Sequence, residues 1–115
     1  MKEIIDAYLE NHKKEIVADI QRLVQIESIT GNTVENRKAL AFVLQKATEM
    51  GISCKMTQEE DVLLACIGAG EEKVGIMVHV DVVEIGDRDK WIYPPFSGHF
   101  DDKFIWGRGD RKSVV

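Results

Sequence analysis

The chain has 115 residues, of which 44% are hydrophobic, with two cysteines and a formal net charge of −5. That is the length of one domain with enough apolar content for a core, although a domain this small buries a lesser share of its surface than a larger one. The acidic balance and scattered charges exclude a nucleic-acid or anionic-membrane partner, and no apolar run approaches the roughly 20 residues of a membrane span.

The N-terminal stretch "MKEIIDAYLENHKKE" mixes charged and apolar residues in a helical rhythm. It lacks the apolar core and small-residue cleavage site of a signal peptide, so the expected location is the cytoplasm. Over residues 2–25, Ile5, Leu9, Ile16, Ile20 and Leu23/Val24 recur at three- and four-residue steps. The spacing predicts an amphipathic helix lying on an apolar surface. "IESITGN" breaks the rhythm, and Asn32 followed by Glu35 opens a second helix in the manner of a capping box. That helix carries Leu40, Val43, Leu44 and Ala47 on one face, with Gly51 placed to cap its C-terminus.

Beyond Gly51 the period changes. "ISCKMT" and "VLLACI" are short β-like runs separated by the polar turn "QEED". They carry Cys54 and Cys66, which form no CxxC pair and read as reduced core or half-buried thiols, a disulfide between them being the lesser alternative. After the turn "GAGEEK", the run "VGIMVHV" is apolar almost throughout, as a strand covered on both faces would be. Residues 84–101 form a long loop of Gly, Pro, Asp and aromatics, and "KFIWG" predicts one more strand. The expected fold is therefore α/β, a mixed β-sheet with helices packed on it. Two helices cover one sheet face; the other is left bare, so the domain is expected to be incomplete at Val115.

His79 and Asp81 close the most apolar run. Residues i and i+2 of a strand share a face, and strand ends are where open α/β sheets bind ligands. An imidazole there can ligate a metal through one nitrogen while a carboxylate fixes its tautomer through the other. The loop "KWIYPPFSG" follows, stiffened by Pro94 and Pro95. "WGRGD" then offers glycines for close backbone approach and Asp110 just beyond them.

Taken together, "HVDVV…G…W…YPPFSG…DDKFIWGRG" resembles the N-terminal signature of the dinuclear zinc metallopeptidases that include aminoacylases, succinyl-diaminopimelate desuccinylases, acetylornithine deacetylases and bacterial dipeptidases. "W-x-YPPFSG" is most similar to the dipeptidase branch acting on Xaa-His peptides, and "LVQIESIT" is similar to the stretch after that family's first helix. The resemblance implies the N-terminal part of a zinc-peptidase catalytic domain over residues 1–115. It implies that His79 is the first metal-ligating histidine and that Asp81 is the site aspartate holding that imidazole in place. Asp110 matches the metal-bridging aspartate if two residues are deleted; Lys112 then falls on the family lysine, while Arg111 and Ser113 depart from the pattern, as does Glu84. Two zinc ions, or Mn²⁺ or Co²⁺ in their place, are the implied cofactors, and short peptides or N-acyl amino acids the implied substrates. The general base and remaining ligands of the family lie beyond residue 115, so the isolated chain is expected to be inactive. His12 and His99 match no family ligand.

The alternative expectation is a non-catalytic truncated α/β module that self-associates through its uncovered sheet face. Arg108-Gly109-Asp110 also spells an adhesion tripeptide, but the Gly-Arg-Gly match accounts for its first two residues and no export signal accompanies it.

Overall fold

In the computed structural model, which describes residues 1–109, the first apolar repeat folds as α1, Lys2–Val24. The chain divides into two units, one of Met1–Gln25 with the stretch from Ile85 onward, the other of Ile26–Glu84. Among the described residues the architecture is mixed α/β, as expected, with two α-helices and two small antiparallel sheets.

In the first unit, α1 has no buried residue. Its early apolar face, expected to lie on a core, is open: Ile4, Ile5 and Leu9 are all about half exposed or more. Its C-terminal turns find partners in the proline loop. Gln21 Nε2 donates to the Gly98 carbonyl at 2.8 Å, and Gln25 Nε2 to the Ser97 carbonyl at 3.2 Å. A short 3₁₀ turn, Arg88–Lys90, leads into the proline loop, where Pro95 is fully buried. The Pro95 carbonyl accepts from Arg108 N at 2.7 Å. Gly107 sits so close to α1 that a Cβ there would lie 2.2 Å from Val24 Cγ1.

The predicted final strand is half of a hairpin. β3, His99–Phe100, pairs antiparallel with β4, Ile105–Trp106. Asp101 closes the turn: its Oδ1 accepts from Lys103 N at 3.0 Å and Phe104 N at 2.7 Å, and its Oδ2 accepts from Trp106 Nε1 at 2.8 Å. These bonds hold the Asp101 carboxyl below the usual aspartate range, the indole of Trp106 contributing most.

In the second unit, α2 spans Thr33–Glu49 and begins where Asn32 Oδ1 accepts from Glu35 N at 3.2 Å. It ends in a Schellman motif. Gly51, at φ +75°, bonds through its N–H to Thr48 O at 3.0 Å, and Ile52 N bonds to Ala47 O at 2.9 Å. Leu40, Val43, Leu44 and Ala47 are half-buried and Ala39 is fully buried. This helix packs on a hairpin of β1, Ser53–Met56, and β2, Leu63–Cys66, in the register Ser53↔Cys66 to Met56↔Leu63. Along β1, Cys54 and Met56 are half-buried while Ser53 and Lys55 are exposed, the two-residue alternation of a strand with one covered face. Both cysteines are free thiols.

The run "VGIMVHV" departs from expectation. Residues 74–80 form no strand, and Val74 and Met77 are 93% and 97% exposed. An apolar sequence supplies side chains for a buried strand, but a strand needs a neighbour to take its N–H and C=O groups. Among the described residues none runs beside 74–79, so there is no single mixed sheet with a central strand. Pairing begins only after His79, at an isolated parallel bridge between Ile29 and Val82.

Candidate functional site

The stretch "ESIT" shapes the chain around Asp81. Val82 N donates to Ser28 O, and Thr30 N donates to Val82 O, both at 2.8 Å. Ser28 is buried, and its hydroxyl donates to the Val80 carbonyl at 2.8 Å. Residues 28–30 thus clasp residues 80–82 from both backbone and side chain. Short polar side chains suit this task, because the Ser28 hydroxyl satisfies a carbonyl that a strand partner would otherwise have to meet.

On this clasp sit the two residues expected to carry chemistry. His79 Nδ1 lies 2.9 Å from the Asp81 carbonyl and 3.1 Å from Asp81 Oδ1. Both neighbours can only accept, so Nδ1 carries the hydrogen and the neutral ring keeps its lone pair on Nε2. The His79 side chain is 77% exposed. The other carboxylate oxygen, Asp81 Oδ2, accepts from Thr30 Oγ1 at 2.7 Å. That hydroxyl, above all, holds the Asp81 carboxyl below the usual aspartate range; partial burial opposes the shift, and the His79 ring reinforces it.

The donor set fits one part of a metal site. A neutral imidazole whose Nδ1–H is held by a carboxylate offers Nε2 in the tautomer a metal requires. Asp110, the other candidate ligand, lies outside the described residues. Among the described residues, no group of three or more His, Cys, Asp and Glu side chains is gathered in a way that could hold a metal ion.

The remaining histidines are engaged locally in the first unit. His12 stacks on Tyr8 with ring centroids 4.0 Å apart, and its Nδ1 lies 2.9 Å from the Tyr8 carbonyl. His99 stacks on Tyr93 at 3.9 Å. Beside the proline loop, Tyr93 also packs against Trp106 with ring centroids 5.3 Å apart. Trp91 Nε1 donates to the Ile85 carbonyl at 2.9 Å, and the Arg108 guanidinium carbon lies 4.8 Å from the Trp91 ring centroid. Arg108 is thereby occupied within its own unit, and no helix of the described residues is long and apolar enough to cross a membrane.

The pairing of His79 with Asp81 is legible in the sequence, whereas the parts played by Thr30 and Ser28 emerge only from the structure. The available signal was the pair of hydroxyl residues in "ESIT", directly after the first helix, where side-chain bonds to backbone are common.

No protein-family model and no solved structure matches the chain. Curated relatives do. A succinyl-diaminopimelate desuccinylase of Paracoccus denitrificans is 41% identical over 99 residues, covering 82% of this chain and 25% of that protein. The one from Ehrlichia chaffeensis is 33% identical over 103 residues, covering 83% of this chain and 26% of that protein. A probable carboxypeptidase S-like 2 of Dictyostelium discoideum is 58% identical over a shorter stretch of 40 residues. The chain therefore spans about a quarter of the length of the desuccinylases it matches. The resemblance is to hydrolases of the metallopeptidase family named from the sequence. These names support that family and not its Xaa-His dipeptidase branch.

Proposed function

We propose that this chain is the N-terminal part of a zinc-dependent metallopeptidase of the desuccinylase family, a cytoplasmic enzyme that cleaves the amide bond of N-acyl amino acids or dipeptides. The observation that carries the reading is the His79 ring, held through Nδ1–H by Asp81 with Nε2 in the open. His79 and Asp110 are the proposed metal ligands, and Asp81 is the residue that positions the imidazole. When bound, zinc, or manganese or cobalt in its place, supplies Lewis-acid polarisation of the scissile carbonyl and an acidified water. Within this chain, Asp81 keeps the proton on Nδ1, and the clasp of residues 28–30 on 80–82 keeps Asp81 in place. The relatives' names favour an N-succinyl amine over a dipeptide as substrate.

The chain alone is proposed to be catalytically silent, since a catalytic zinc takes three protein ligands and leaves a position open. Two measurements on the purified chain test the proposal: zinc uptake by calorimetry in the native and His79→Ala forms, and amide cleavage of an N-succinyl amino acid and a dipeptide. The reading predicts zinc uptake that His79→Ala removes, and no cleavage. Zinc uptake indifferent to His79 would sink the site, and His79-dependent cleavage would sink the statement that the chain is silent.

A second reading rests on the exposed run at 74–78. Val74, Ile76, Met77 and Val78 present an unpaired apolar segment, which favours association of two copies through strand pairing.

A further inference from the structure

We infer that Thr30 is a positioning residue for the metal-ligating histidine, acting through Asp81. The inference rests on the proposed role of His79 and extends it to a residue 51 positions upstream of the aspartate. A free carboxylate can rotate about its last side-chain bond and can meet an imidazole with either oxygen or with neither. Here the two oxygens are separately engaged. Oδ2 accepts from Thr30 Oγ1 at 2.7 Å, and Oδ1 lies 3.1 Å from His79 Nδ1. The threonine hydroxyl therefore fixes the carboxylate plane, and the carboxylate fixes the ring. Thr30 is itself anchored by a bond that does not use its side chain, from its N–H to the Val82 carbonyl at 2.8 Å. Buried Ser28 ties down the neighbouring Val80 carbonyl at 2.8 Å. The bond from Thr30 therefore starts at a backbone fixed independently of the hydroxyl, which is what orienting a ligand requires.

Because the anchor is backbone, the hydroxyl can be removed without removing the clasp. Thr30→Val keeps the β-branched shape and the N–H, and deletes the hydroxyl's bond to Asp81 together with its longer 3.2 Å approach to the Val82 carbonyl, which the Thr30 N–H still meets. Thr30→Ser restores the hydroxyl. The readout is the tautomer of neutral His79 at pH 8, from long-range ¹H–¹⁵N spectra of the whole chain, a property that a merely structural role would not move. The native chain and Thr30→Ser are expected to hold the Nδ1–H form. Thr30→Val is expected to move the ring substantially toward the Nε2–H form while the Val82 amide resonance stays in place, and to weaken zinc binding at His79 by about tenfold, the low end for loss of an orienting partner. An unchanged His79 tautomer in Thr30→Val would overturn the inference even if zinc binds at His79. A tautomer change with no zinc binding in any form would support the inference and sink the metal-site proposal on which its purpose rests.

Discussion

Thr30 and Asp81, 51 residues apart in sequence, meet at 2.7 Å through a hydroxyl and a carboxylate oxygen. This bond joins the segment after α1 to the segment that carries His79, and it belongs to the unit formed by Ile26–Glu84. The unit owes its remaining order to α2 and the β1–β2 hairpin, whose ends are set by local chemistry.

That local chemistry can be tested one residue at a time. Asn32→Ala removes the acceptor for Glu35 N and is expected to cost about 1 kcal/mol. Gly51→Ala forces an L side chain to φ +75° and is expected to cost about 1–2 kcal/mol. Urea unfolding followed by helix circular dichroism checks both. Full stability in either variant would contradict the cap assignment.

Gly107 predicts a coupled effect. A Cβ at that position would lie 2.2 Å from Val24 Cγ1 and 3.1 Å from the Pro95 carbonyl. Gly107→Ala is expected to destabilise the chain by about 1–3 kcal/mol, the usual cost of overpacking. In a background of Val24→Ala the penalty should shrink but not vanish, because the Pro95 carbonyl is backbone. A double-mutant cycle on thermal unfolding measures the coupling; simple additivity would mean that Gly107 and Val24 do not touch.

Asp101 predicts a response to acid. Its folded pKa is depressed, first by the Trp106 indole and then by the Phe104 and Lys103 amides. Its contribution to the β3–β4 turn is therefore complete above the ordinary aspartate value of about 3.9 and is lost as pH falls through the lower folded value. The Trp106 indole N–H resonance is expected to hold steady down to about pH 4 and to move below it. Asp101→Ala should abolish that movement. A native indole resonance that titrates at or above the ordinary aspartate value would contradict the assignment.

The exposed run at 74–78 predicts association. Segments of high β-propensity with little charge and no proline pair readily when left open, and Met77 and Val78 are 97% and 82% exposed. Sedimentation velocity is expected to show concentration-dependent association that the double substitution Met77→Lys, Val78→Lys suppresses. A native chain that stays monomeric at high concentration would rule this association out.

The helices were legible because their signals are local. The apolar period, Asn32 with Glu35, and Gly51 all act within a few residues, and each is found where the sequence put it. The central strand was misread for a physical reason. "VGIMVHV" records what residues 74–80 would bury if neighbours were present, while strand formation depends on a partner that periodicity within the run does not reveal. The β3–β4 hairpin was half seen, because Asp101 writes its turn through side-chain acceptors instead of a glycine pair. At the candidate site, the i, i+2 spacing anticipated that His79 and Asp81 lie side by side. Thr30 was missed because its bond spans 51 positions, and no spacing rule reaches that far.

The role of His79 is tested most directly by following the imidazole nitrogens of the three histidines, His12, His79 and His99, during a zinc titration of the native chain. His79 is expected to begin as the Nδ1–H tautomer and zinc to shift its Nε2 resonance, while His12 and His99 stay where they are. Zinc that leaves His79 unmoved, or a native His79 found in the Nε2–H form, would contradict that role.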